Sequence, residues 1–176
     1  MSTPIKNKLV LDDIRQLIES TRQRVATYAN AELTMLYWRV GERISREILQ
    51  DKRAEYGKEI VVSLSRQLSV EYGSGFSAKN LRHMVRFAEI YPNEKIVSAL
   101  RRQLGWTHFK TIIYIDDPLK RDFYAQMCRL ERWNTRTLEK KIGGMLFERT
   151  ALSRKPEKVI KHEIDTLRKT DQITPY

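Results

Sequence analysis

Lys79, Arg82, His83 and Arg86 recur three or four residues apart, so on an α-helix they share one face. No acidic residue lies between Ser77 and Ala88. Lysine and arginine bring positive charge and donors to phosphate oxygens, and the planar arginine head also reaches guanine edges. The chemistry on offer is recognition of a polyanion rather than bond making. A second basic pair, Arg136 and Lys140, stands four residues apart further along the chain.

Two helices and a turn must position the first cluster. Ile60, Val61, Leu64, Leu68 and Tyr72 follow helical spacing. Gly73-Ser74-Gly75-Phe76 breaks that pattern, because glycine tolerates the positive φ of a tight turn. Ser77 is placed to cap a second helix, which carries Leu81, Met84, Val85 and Ala88 inward. Tyr91-Pro92 ends it, since the residue before proline is pushed out of helical geometry. Helix, glycine turn and basic second helix together suggest a helix-turn-helix. In that motif the first turn of the second helix meets base edges, here Ser77, Lys79 and Asn80, with Arg82, His83 and Arg86 close by. The competing reading is a solvated basic helix in an ordinary helical bundle.

Catalytic patterns are sparse. His83, His108 and His162 lack ligand spacing, so no metal site or cofactor is expected. No nucleophile elbow or P-loop is present. Asp116 with Glu139-Lys140-Lys141 matches the bare Asp…Glu-x-Lys string of PD-(D/E)XK nucleases, in which two carboxylates hold a divalent metal. That site needs adjacent strands, whereas Glu139 lies in a strongly helical stretch. The chain is therefore not expected to be an enzyme by itself.

The totals favour the same partner class. With 33 Lys+Arg against 22 Asp+Glu the formal net charge is +11, which points to nucleic acid first and an anionic membrane surface second. Residues 58–115 hold nine basic and four acidic side chains, so the motif lies in the most basic segment. A hydrophobic fraction of 41% suffices for a core. No signal-peptide pattern or membrane-spanning run occurs, and the lone Cys128 has no partner for a disulfide, so a reducing cytoplasm is the expected setting. Cys128, near Phe123, Met127 and Leu130, reads as a small core residue.

The rest of the chain reads as helices. From Asp12 to Gln50 an apolar stripe runs through Ile14, Leu17, Ile18, Val25 and Tyr28, then Leu33, Leu36, Tyr37, Val40, Ile44 and Ile48. This is one long helix, or two with a break near Asn30. Its length fits a core helix lying across the domain, or pairing with a partner helix in a homodimer through residues 12–50. Residues 51–57 read as a connection ending at Gly57. Asn93 to Leu104 is expected as a helix with Arg101 and Arg102 outward. Trp106–Ile115 is ambiguous: Phe109, Ile112 and Ile113 have helical spacing and Thr107 could cap, but Thr-Ile-Ile-Tyr-Ile is also strand-like and could form a wing. Asp117-Pro118 opens the next helix, with Leu119, Phe123, Met127 and Leu130 inward. Asn134 or Thr135 caps another, with Leu138, Ile142, Met145 and Leu146 inward. Gly143-Gly144 within it suggests a close helix crossing. A final helix is expected over 153–169, then a polar end. The fold class is mainly α, with a long N-terminal helix (1–50), a helix-turn-helix-containing unit (51–150) and a C-terminal helix opening a linker (151–176).

Several short pieces in order resemble the N-terminal domain of the YhcG family of bacterial proteins. They are Leu36-Tyr37-Trp38-Arg39-Val40-Gly41 with Ile44, then Tyr56-Gly57 with Leu64-Ser65 and Leu68, then Gly75-Phe76-Ser77 with Asn80-Leu81, Met84, Phe87 and Tyr91-Pro92. The last runs from Leu104-Gly105-Trp106-Thr107-His108 through Arg121, Phe123-Tyr124 and Trp133 to Arg136, Leu138, Ile142 and Leu146-Phe147-Glu148-Arg149. Gly105, Thr107 and Asn134 depart from the serines expected there. The resemblance implies a helix-turn-helix or winged-helix-like domain that precedes a PD-(D/E)XK nuclease domain in longer members. With the basic face, it makes this chain a DNA-binding domain by expectation (duplex foremost, RNA as an alternative), one that in a full-length relative would position a nuclease domain absent from these 176 residues. A protein-interaction or oligomerisation module built on the long N-terminal helix is the alternative function.

Overall fold

The computed structural model describes residues 3–50 and 54–153. Among them eight α-helices and one 3-10 turn form, without a strand: α1 Thr3–Gln50, α2 Ala54–Tyr72, the 3-10 turn Ser74–Phe76, α3 Ala78–Ile90, α4 Glu94–Leu100, α5 Trp106–Ile112, α6 Pro118–Glu131, α7 Thr135–Gly143 and α8 Leu146–Ser153. The fold is all-α. No helix among the described residues is long and apolar enough to cross a membrane. The helix expected over 153–169, with His162, lies outside the described residues.

α1 is unbroken, about 72 Å long at ~1.5 Å per residue. Its two halves have different surroundings. Met35, Tyr37, Trp38 and Ile44 are buried in the body, whereas Ile14, Leu17, Ile18, Val25 and Tyr28 are exposed, as are Leu33 and Leu36. The body grips only the C-terminal half. Trp38 Nε1 donates to the Tyr91 carbonyl at 2.8 Å, and Arg39 pairs with Glu94 at 2.9 Å. At Gly41 α1 crosses α3 at backbone contact: a Cβ built there would lie 1.8 Å from the Met84 carbonyl oxygen. The close crossing is therefore at Gly41, and the one expected at Gly143-Gly144 does not occur. A Cβ on Gly143 would meet open space, and Gly144 ends α7 as its C-cap.

The core has two parts: one spans α1, α3, α4, α5, α6 and α7, and the other joins Tyr37 and Ile44 of α1, Val61 of α2 and Leu81 and Met84 of α3. Phe87 packs on Phe109 with ring centroids 4.4 Å apart, and Leu81, Met84, Phe109, Ile112, Ile113, Tyr124 and Leu138 are fully buried. The wing alternative gives way to α5 for that reason: helical spacing lets Phe109, Ile112 and Ile113 all bury, which outweighs their β-branched composition. Gly105, rather than Thr107, is the N-cap of α5; its N–H donates to His108 Nδ1 at 3.3 Å. Thr107 instead accepts from Thr135 Oγ1 at 3.1 Å.

Local chemistry sets the other helix ends as expected. Asp117 accepts from the Leu119 and Lys120 amides ahead of Pro118 at N1, and Asn134 accepts from the Thr137 amide. Other expectations fail near helix ends. α4 stops at Leu100, and Arg101 turns inward to Glu32 of α1 at 2.5 Å. Ile96 and Leu130 overhang the core, and Met145 is exposed at φ 52 in the α7–α8 turn. Gly57 does not end a connection; it is buried inside α2, its Cβ position 3.0 Å from the Ile48 side chain.

Cys128 is 2% exposed within the core, and burial pushes its thiol up to about 12. The thiolate is the reactive form, so at pH 8 only about one molecule in 10⁴ presents it. The native protein should ignore a disulfide reagent at pH 8 and react stoichiometrically once unfolded in denaturant. Rapid native labelling, followed by absorbance, would show that this part of the core opens readily.

Candidate nucleic-acid interface

The turn between α2 and α3 is built for tightness. Gly73 takes φ 87, which a side chain would resist, and the Phe76 and Ser77 amides close the 3-10 turn onto Gly73 and Ser74. Ser77 is the N-cap residue of α3, but its side chain makes no capping bond; its carbonyl accepts from the Leu81 amide. Asn80 is taken up by the scaffold. Its amide donates to the Gly75 carbonyl at 2.5 Å, and its Oδ1 accepts from Trp106 Nε1 at 3.2 Å. Asn80 thus ties the turn to α5.

Lys79 and Arg82 stand exposed on the first turns of α3, with no ion pair among the described residues. His83 and Arg86, one turn on, face α5 and the segment after it. His83 Nδ1 lies 2.7 Å from the Tyr114 hydroxyl, with the rings edge to face. Its pKa is lowered by burial first, then by the charges of Lys110 and Lys79, so the imidazole is held neutral more firmly than usual. The Arg86 guanidinium lies 4.8 Å over the Tyr114 ring, donates to the Ile113 carbonyl at 2.9 Å and pairs with Asp116 at 3.2 Å. Arg86 is thereby a clamp between α3 and the end of α5.

The structure adds two residues to the cluster, Lys110 and Tyr114. Thr107 and Lys110 stand three apart on the side of α5 away from Phe109 and Ile112, and Tyr114 follows four residues on, in the turn after α5. That spacing was available in the sequence, but strand-like composition obscured it. The assembled face carries Lys79, Arg82 and His83 from α3, Lys110 from α5, and half-exposed Tyr114, whose ring offers a stacking surface beside the cations.

Arg136 and Lys140 are exposed on α7, which packs on α5, α6 and α8. They form a separate basic patch, with α5 between it and α3. Lys141 lies 5.5 Å over the Trp133 ring, and Tyr124 ties α7 to α8 by donating to the Lys141 carbonyl and accepting from the Phe147 amide. Of the nuclease-like string, Asp116 sits in the α5–α6 turn against Arg86, and Glu139 is exposed on the helix α7.

Comparison with known proteins places this arrangement. The family model described as the DUF1016 N-terminal domain matches residues 13–149, from the exposed half of α1 into α8. Among curated proteins, "Putative nuclease YhcG" of Escherichia coli (strain K12) is 30% identical over 172 residues, covering 81% of this chain and 46% of that protein. The chain thus spans less than half the length of that relative. No solved structure matches significantly. The matched stretch includes the α1–α3 crossing, the glycine turn and the α5–α7 unit, and the chain belongs to the DUF1016 N-terminal domain family.

Proposed function

We propose that this domain binds nucleic acid, duplex DNA first, through the α3–α5 face, and that in the cytoplasm it positions a nuclease domain of the kind its longer relative is named for. The observation that carries this reading is the cationic face of Lys79 and Arg82, exposed on α3 with no ion pair among the described residues. Lys110 of α5 adds to it: after burial, its charge and that of Lys79 lower the His83 pKa. Exposed cations without acidic partners gain from an anion, and a phosphate backbone supplies anions in series. The +11 net charge adds long-range attraction. On this reading the domain acts as a binding and positioning module.

A second reading has its own observation. The exposed apolar half of α1 suits an oligomerisation module, and the two are compatible in a homodimer joined through α1. A salt titration tests the first reading. With about three to four phosphates neutralised, log affinity should fall against log salt with a slope near −3, so binding drops roughly 50-fold or more between 50 and 200 mM. Fluorescence anisotropy with labelled duplex DNA, single-stranded DNA and duplex RNA should give the tightest binding to duplex DNA. No binding to any of them at 50 mM salt would leave the oligomerisation module as the function.

A further inference from the structure

We infer that the exposed half of α1 pairs with the same segment of a second copy as a short parallel coiled coil, in register, over residues 11–28. This deepens the homodimer part of the reading above and does not depend on its DNA part. Leu11, Ile14, Ile18, Thr21, Val25 and Tyr28 fall alternately three and four apart, the spacing of a two-helix seam. All the apolar members are exposed, up to 63% for Val25 and 70% for Tyr28.

The stripe is not a face left over from the domain's own core. Val25 and Gly41 are sixteen residues apart, so at ~100° per residue they point about 160° away from each other. Gly41 faces α3, and the stripe therefore faces away from the body. Leu36, eleven residues beyond Val25, returns to the stripe side within about 20° and is itself 45% exposed. A partner helix can lie along this side without meeting α3.

Charge selects the occupant and its direction. Arg15, Arg22 and Arg24 flank the seam, and the nearby acids Asp12 and Glu19 are already paired with Arg15 and Arg22 within the helix. In an antiparallel pair Arg15 of one copy would face Arg22 of the other, twice. In a parallel pair Arg15 and Arg22 lie beside Val10 and Leu17 of the second copy, and Arg24 beside Ala29, so no like charges oppose. Their alkyl stems can then cover the apolar seam while the heads stay in water. β-branched Ile18 and Val25 fall on the seam position that favours two parallel strands.

The test uses the full chain without nucleic acid, so its outcome is independent of the titration above. Sedimentation equilibrium on the order of 50 μM should give a dimer, since a seam of about two and a half heptads holds weakly. The double variant Ile18→Asp, Val25→Asp should be a folded monomer, with the near-ultraviolet dichroism of the buried tryptophan Trp38 unchanged. Ile18→Cys should cross-link to itself under mild oxidation, Cys128 being buried, whereas Gln23→Cys on the opposite side should not. A wild-type monomer at that concentration overturns the inference. So does a dimer in which Ile14→Cys joins Val25→Cys but Ile18→Cys fails to join itself, because that pairing is antiparallel.

Discussion

Gly41→Ala is expected to be the most damaging single-methyl change in the chain. The new Cβ would sit 1.8 Å from the Met84 oxygen, 2.2 Å from its carbonyl carbon and 2.9 Å from the Val85 nitrogen. These are backbone atoms of α3, so no rotamer change can make room. α1 and α3 would have to separate where Trp38, Leu81 and Met84 are buried, and the core would open on both sides of the contact. Overpacking usually costs 1–3 kcal/mol, and a clash with immovable backbone belongs to the tail near 4 kcal/mol or more. For a chain this long that lowers the Tm by roughly 8–16 °C. Gly143→Ala is the matched comparison. Its Cβ meets open space at the end of α7, so it should raise stability by about 0.5 kcal/mol through better helix propensity. Thermal denaturation of both variants decides the point. If Gly41→Ala melts within about 2 °C of the wild type, the two helices do not cross as closely as the structure has them.

These two glycines also show where sequence reasoning reaches and where it stops. A glycine pair inside a helical pattern invites a crossing, but the pattern cannot say which helix would cross it. Gly41 sits in an unremarkable helical stretch, and its partner is Met84, forty-three residues away. Asp117 and Asn134 were legible because capping is chemistry between near neighbours. The turn at Gly73 was legible because positive φ is a local demand. The same limit divides the site. Spacing puts Lys79, Arg82, His83 and Arg86 on one polar face, with Asn80 in the first turn beside them, yet of these five only Lys79 and Arg82 stay exposed. Trp106 claims Asn80, and the Ile113 carbonyl with Asp116 claims Arg86. Those partners arrive from α5 and the segment after it, and periodicity on α3 contains no information about which side α5 will cover. Helix ends misled in a similar way. Leu130 and Met145 keep the inward phase but lie beyond the edge of the core.

The double change Lys79→Ala, Arg82→Ala should weaken duplex DNA binding by roughly 10- to 100-fold while leaving the fold intact, because each lost contact is worth about 1–3 kcal/mol at a base edge and less at a phosphate. Both side chains are exposed, and neither touches the core. A pure phosphate role predicts a uniform loss across sequences and a salt slope shallower by about one unit per residue. A base-reading role for Arg82 predicts a loss confined to preferred sequences with the slope little changed. Arg86→Ala is not an equivalent probe, since removing it also frees the Ile113 carbonyl and Asp116 and loosens the α3–α5 clamp; its binding loss should come with a lower Tm. The control that removes the same charge elsewhere is Arg136→Ala, Lys140→Ala, on the separate α7 patch. Anisotropy titrations of the two double variants against one duplex at two salt concentrations separate the cases. Equal losses would mean diffuse attraction by the net charge rather than a docked α3. A loss only in the α7 variant would move the interface to α7 and leave the α3 cluster a structural junction. A loss only in the α3 variant is the expected result, and it would make the exposed Lys79 and Arg82 face the surface that meets DNA.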